Sequence, residues 1–480
     1  MAGLLSSLFS WPGANTITLT HSEEPLILPT KTGPKRTLSE IAKDSTPPCN
    51  LNPFLWNGHL QTAYTAVKYP GPAIHYKRRT FEQEDPAFPG HFTVDFVVAP
   101  PNPKDEIKGA AEDGQVEDKG LREDPMGVGH TRSPPRTTYF TNKEFENIGS
   151  DDTKPLLVTL HGLSGGSYEV YLRHVLAPLV EQSAKTSEQA AHGLSGGEWE
   201  ALVINSRGCA GSKITSSMMY NARATWDMRM IVKWCRKTWP NRPLFAVGYS
   251  LGANILTNYV GEEGKDCLLN AAVVVSNPWK LEVSNAALQR TYVGRELYSK
   301  TMGDHMRKLF ETHREQILKN KALSEERILK LKYLYEFDRE VQCATWGYPT
   351  EGAYYRDASS SDSILAVRIP FLALHAIDDP IAADEAVPYE EIRQNPYTVM
   401  VATSGGGHLA WYEFGGGRWH AKPIVNFLNA MGREVDFKKM DHPEPEVHGP
   451  KGGHQTPFAF GPMRRRAHVV GSNEFQATTV

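Results

Sequence analysis

The chain has 480 residues, 40% of them hydrophobic and 22% charged, which suits one large α/β domain with insertions or two ordinary domains. Its formal net charge of −3 supplies no field that would draw nucleic acid or an anionic surface. The five cysteines (Cys49, Cys209, Cys235, Cys267 and Cys343) are widely spaced and odd in number, so neither a disulfide framework nor a zinc site is expected, and a reducing intracellular compartment is.

No run of about 18 apolar residues is present to span a bilayer. Met1 to Trp11 is apolar but short and lacks a basic flank, which argues against a signal peptide. It reads as a disordered start, with a shallow contact to a lipid droplet or endoplasmic reticulum surface as the alternative. Residues 1–50 as a whole read as an irregular N-terminal arm. Asn52 to Thr62 is denser in aromatics and turn residues and suggests a docked segment, with His59 assigned to packing.

The main domain is expected over residues 51–431. His91 to Val98 alternates polar and apolar residues, as an edge strand should. From Pro100 to Thr153 the apolar content collapses, which predicts a disordered surface insertion, with the hairpin partner strand near Thr137 to Phe140. Leu156 to Leu160 reads as a buried strand running into His161-Gly162-Leu163-Ser164-Gly165-Gly166. Glycines there let backbone N–H groups turn inward, so the amide of Leu163 is a candidate oxyanion donor, partnered by that of Leu251. The same six letters recur at His192 to Gly197, inside a polar insertion over 181–198, but no apolar strand precedes them.

Ala201 to Ile204 is the next strand, followed by the glycine turn Asn205 to Ser212, where Arg207 is assigned a structural bond to loop carbonyls. Helical periodicity runs from Asn221 to Trp239. Then come a short apolar strand, Leu244 to Val247, the turn Gly248-Tyr249-Ser250-Leu251-Gly252, and a further helix. Strand, Gly-x-Ser-x-Gly and helix in that order form a nucleophile elbow, which exposes Ser250 at a strained turn. Strand–helix units in tandem predict a mostly parallel central sheet with helices on both faces.

Ala271 to Val275 is another apolar strand. Residues 280–365 then break the rhythm with charged amphipathic helices, notably Leu323 to Phe337, which fit either a cap over the site or ordinary surface helices. Trp346-Gly347-Tyr348 and Ala353-Tyr354-Tyr355 would line its entrance. Strand Ile369 to His375 leads to Asp378-Asp379, and strand Tyr397 to Ala402 leads to the glycine loop that presents His408. The last helix spans Lys422 to Met431. Residues 432–480 read as a disordered tail ending in Thr478-Thr479-Val480, a weak match to a PDZ-binding terminus.

The chain order Ser250, Asp379, His408 is that of an α/β-hydrolase triad, each member just beyond the carboxyl end of a strand. A serine hydroxyl needs a base to take its proton, and the base needs a carboxylate to fix its tautomer. Asp378 competes with Asp379 for that last role and is otherwise a loop-capping residue. No metal or cofactor motif is present.

Asn57 to Thr62, His161 to Gly166, Asn205 to Gly208, Gly248 to Asn254, His375 to Ile381 and Gly406-Gly407-His408 together resemble the AB hydrolase 4 family, over roughly residues 50 to 431. That family holds fungal medium-chain fatty acid ethyl ester synthase/esterases and mammalian abhydrolase-domain phospholipases. The resemblance implies an α/β-hydrolase fold and a triad at Ser250, Asp379 and His408. It also implies esterase or acyltransferase activity on short- to medium-chain acyl esters or thioesters such as acyl-CoA, with water or an alcohol as acceptor. A phospholipase or monoacylglycerol-type lipase, and a non-catalytic binding scaffold, are the alternatives.

Overall fold

The computed structural model describes residues 14–67, 70–100, 124–132, 134–181, 194–195 and 197–442. Ten strands make one sheet: β1 (Ile17–His21), β2 (His75–Glu82), β3 (His91–Val98), β4 (Thr137–Tyr139), β5 (Leu156–Leu160), β6 (Glu200–Asn205), β7 (Leu244–Tyr249), β8 (Ala271–Val275), β9 (Phe371–Ala376) and β10 (Thr398–Thr403). Their spatial order is β1-β10-β9-β8-β7-β5-β6-β3-β2-β4. The six strands from β10 to β6 are mutually parallel, and β1 and β3 flank them antiparallel.

The parallel strands are mostly apolar because both faces are covered. Every residue of β5, β7, β8, β9 and β10 is buried. Helices α1 (Leu38–Ser45), α2 (Gly58–Tyr64), α3 (Val170–Val180), α4 (Trp226–Thr238), α5 (Leu251–Glu263) and the C-terminal Ala421–Glu434 accompany the sheet. Between β8 and β9 lies an all-helical segment. It includes Leu281–Arg290, the long Lys300–Ile317 and Glu351–Ala358.

Several sequence expectations change. His91–Val98 is an inner strand, held between β6 and β2. Its hairpin partner is β2, register His75 opposite Val98, and the short β4 pairs parallel with β2 instead. The alternating pattern misleads because β3 carries Thr93 and Asp95 inward, where Arg78, Ser167 and Asn205 satisfy the Asp95 carboxylate.

The arm over residues 1–50 is not irregular where it is described: β1 pairs with β10, and α1 starts with a reciprocal capping box between Thr37 and Glu40. Within the insertion expected to be disordered over 100–153, residues 124–132 and 134–153 carry β4 and a capped helix, Asn142–Glu146. Residues 101–123 lie outside the described residues, as do Met1 to Trp11, most of 181–198, and the tail from 443 onward. The helices expected over Leu323 to Phe337 are two short ones, Glu325–Leu329 and Leu334–Phe337. The last helix runs three residues past Met431, to Glu434.

Candidate active site

Ser250 occupies the turn between β7 and α5 at φ 52°, ψ −117°, a region a side chain enters only under strain. The turn is that tight because both flanking glycines are pressed against backbone. A Cβ on Gly248 would lie 2.5 Å from the Gly252 carbonyl oxygen, and one on Gly252 would lie 2.5 Å from the Leu160 and His161 carbonyl oxygens. The Ser250 amide is tied to the neighbouring strand through the Val275 carbonyl at 2.9 Å.

His408 reaches this serine from the loop after β10. Its Nε2 lies 2.9 Å from Ser250 Oγ, and its Nδ1 lies 2.9 Å from Asp379 Oδ2 and 3.1 Å from Oδ1. The Asp379 carboxylate is fully buried, and its Oδ1 also accepts the Ile381 and Ala382 amides at 2.8 and 2.9 Å. Burial alone would raise this carboxyl. The His408 charge and hydrogen bond outweigh it and hold Asp379 below the usual carboxylate range. Asp378 turns the other way and accepts the Gly407 amide at 2.9 Å, so it caps the histidine loop.

The Asn57-to-Thr62 segment packs under both loops. Thr62 Oγ1 accepts the His408 amide at 2.9 Å, and Gln61 Oε1 accepts the Tyr412 amide at 2.8 Å. His59 is stacked on Tyr298 and hydrogen bonded to it at 2.9 Å, in keeping with its assignment to packing. From β8, Ser276 Oγ accepts the Leu409 amide at 3.2 Å.

The loop after β5 faces the serine from the opposite side: a Cβ on Gly162 would lie 3.4 Å from Ser250 Cβ. Two tyrosines hold it, since the Gly162 amide donates to Tyr171 Oη and the Ser164 amide to Tyr220 Oη, each at 2.9 Å. His161 donates from Nδ1 to the Gly162 carbonyl at 2.6 Å and accepts the Ser206 amide on Nε2 at 3.0 Å. Burial pulls this imidazole down to about 4, so it stays neutral. Leu163, held between those anchored neighbours, and Leu251, at the first turn of α5, both line the cavity that holds Ser250. A first-turn amide has no intrahelical acceptor.

That cavity occupies about 740 Å³, counting space open to solvent. The helical segment between β8 and β9 forms most of its wall, through Leu281, Leu288, Met302, Met306 and Leu334. Tyr354 and Tyr355, expected at its entrance, are buried residues of its wall. Trp346 instead packs on Trp226 with a centroid separation of 5.1 Å. Arg207 makes a bidentate pair with Asp227 and bonds the Phe88 and Pro89 carbonyls, a structural role. Of the second His-Gly-Leu-Ser-Gly-Gly copy, Ser195 is bonded to Glu200, while His192, Gly193 and Gly196 lie outside the described residues.

Residues 155–414 match the family described as alpha/beta hydrolase fold. The chain belongs to that family. The chain is 34% identical to the monoacylglycerol lipase of Saccharomyces cerevisiae, over 83% of this chain and 84% of that one. It is 30% identical to the medium-chain fatty acid ethyl ester synthase/esterase 2 of the same yeast, over 80% and 86%. The human phospholipase ABHD3 is 29% identical over 57% of this chain and 63% of its own. These are members of the AB hydrolase 4 family, and the chain is an α/β hydrolase with relatives that act on lipids and esters. Among the described residues, no helix is long and apolar enough to cross a membrane.

Sequence reasoning did not find Thr62, Ser276, Tyr171 or Tyr220. Their chemistry is ordinary, and except for Tyr171, nine residues from Gly162, their partners stand far along the chain, 346 residues away for Thr62. The signals available for Thr62 were the density of turn residues around it and its place in the Asn57 to Thr62 motif.

Proposed function

We propose that the protein is a serine esterase acting on short- to medium-chain acyl esters or thioesters, in which Ser250 is the nucleophile, His408 the general base and Asp379 the residue that orients it. The observation that supports this reading is the unbroken row Ser250 Oγ, His408 Nε2, His408 Nδ1, Asp379, with both outer separations at 2.9 Å. Ser250 Oγ attacks the acyl carbonyl as its proton passes to His408 Nε2. The Leu163 and Leu251 amides hold the resulting oxyanion. His408 then returns the proton to the leaving alcohol or thiol, which departs as the carbonyl reforms on the serine. Water, deprotonated by the same imidazole, resolves the acyl-enzyme to acid and free serine. An alcohol such as ethanol in place of water gives an ester.

The helical segment over the cavity acts as a cap in this reading. Its apolar side chains receive the acyl chain, and they thin the water near the acyl-enzyme so that an alcohol competes.

Fluorophosphonate labelling tests the assignment: the wild type labels and Ser250→Ala does not. A panel of p-nitrophenyl esters from acetate to palmitate then reads the chain length. Supplying ethanol and quantifying free acid against ethyl ester reads the acceptor. A wild-type protein that fails to label removes the proposal.

A further inference from the structure

The described cavity wall is mostly apolar, and of its polar side chains Asn221, Ser284, Asn285, Asp338 and Gln342, the last carries a buried atom without a partner. Asp338 and Gln342, 6% and 2% exposed, both line the cavity. They stand at the two ends of one π-helical turn, Asp338–Gln342, set between Leu334–Phe337 and Cys343–Trp346. Single π turns of this kind recur at functional sites, and residues four apart project to one side.

Of the two, Gln342 keeps an acceptor that no described residue satisfies. Gln342 Nε2 donates to the Tyr220 carbonyl at 3.0 Å, which fixes the amide and leaves Oε1 buried with no hydrogen-bond partner. Asp338 uses one oxygen, Oδ2, to accept the Tyr355 hydroxyl at 2.7 Å. Burial, with the Glu351 charge adding to it, pushes the Asp338 carboxyl up to about 7. Buried acceptors without donors are rare in folded proteins, and one kept beside a substrate cavity calls for a donor that arrives with the ligand.

The surroundings narrow that donor. Among the described residues, no lysine, arginine or histidine lines the cavity, so a phosphate would meet a carboxyl group there with no cation to balance it. A hydroxyl carries no charge. It donates to Gln342 Oε1, and it can donate to or accept from Asp338 in either protonation state. Tyr220 joins Gln342 at its carbonyl and the Leu163 loop at its hydroxyl, so the two polar groups stand within one tyrosine of the oxyanion loop.

We propose that Asp338 and Gln342 form a hydroxyl-binding subsite, and that the preferred substrate is an uncharged ester bearing a free hydroxyl. The inference rests on the esterase reading of Ser250. The hydroxyl belongs either to a polyol on the alcohol side of the ester or to the acyl chain.

The test compares kcat/KM for monodecanoylglycerol, ethyl ω-hydroxydecanoate, ethyl decanoate and decanoyl lysophosphatidylcholine, with active sites counted by fluorophosphonate titration. The wild type is expected to favour one of the two uncharged hydroxyl esters over ethyl decanoate by about tenfold or more, and which one identifies the side that carries the hydroxyl. Gln342→Met and Asp338→Leu should bring that ratio towards one, while Asp338→Asn, which keeps an acceptor, should preserve most of it. If Asp338→Leu does not fold, the near-isosteric Gln342→Met carries the comparison. Equal rates on the uncharged esters, a preference for the phosphate ester, or a ratio unmoved by Gln342→Met overturns the subsite while the esterase stands. A wild type that does not label at Ser250 removes both.

Discussion

Gly58 lies directly beneath Asp378: a Cβ on Gly58 would overlap the Asp378 carbonyl oxygen and sit 2.9 Å from its Cγ. The N-terminal segment and the acid loop, 320 positions apart, are therefore packed backbone to backbone. Gly58→Ala must push one of them away. Since Asp379 is the next residue, the expected result is a loss of esterase turnover of at least about tenfold. Stability should fall by about 1–3 kcal/mol, as for other overpacked sites. Urea unfolding beside an ester assay checks both, and an unchanged enzyme would show that the contact is not needed.

The two adjacent aspartates should separate cleanly. Asp379→Asn leaves the shape but removes the charge that fixes the His408 tautomer, and kcat is expected to fall about 10³- to 10⁴-fold. Asp378→Asn keeps an oxygen for the Gly407 amide, so it should cost less than about tenfold. Steady-state kinetics on one p-nitrophenyl ester decide it. A larger loss at 378 would reverse the assignment of the acid.

Thr62 is a positioning residue, acting through the His408 backbone. Thr62→Val takes away the acceptor and leaves that amide unpaired, which costs about 1–3 kcal/mol and lets the imidazole drift. We expect kcat to drop by about tenfold with KM little changed, and Thr62→Ser to restore it. Loss in both variants alike would point to packing instead.

Acid should destabilise the fold through its buried imidazoles. Burial lowers His161 from 6.5 to about 4 and His420 from 6.5 to about 3, the latter helped by the Arg418 charge. Below pH 6.5 the unfolded chain takes up protons on both that the native chain refuses. The unfolded state then binds more protons, and stability falls as pH falls, from about 6.5 down to about 4. Two protons correspond to a slope of up to about 2.7 kcal/mol per pH unit from this pair. Urea midpoints measured between pH 7 and pH 4.5 should show it, and His420→Gln should make the slope shallower.

The sequence showed most clearly where chemistry is written in neighbouring letters. Gly248 to Gly252 spells a strand–turn–helix, and the structure gives Ser250 the positive φ that such a turn demands. The runs Leu156 to Leu160 and Ala271 to Val275 are apolar at every position but Thr159 because parallel strands are buried on both faces, so their apolar character marked the sheet. The arm was harder. Ile17–His21 alternates weakly and is short, and only its pairing with β10 makes it a strand.

By itself, the sequence determined the hydrolase fold, the serine turn and the order in which an aspartate and a histidine follow it, because local sterics and strand burial act within a few residues. Tertiary structure decided which of two neighbouring aspartates meets His408, which N-terminal residues brace the loops, and which polar groups interrupt the cavity wall. Those outcomes depend on side-chain direction at loop ends and on contacts between segments hundreds of residues apart, where a single residue of offset turns a carboxylate from the imidazole to a backbone amide.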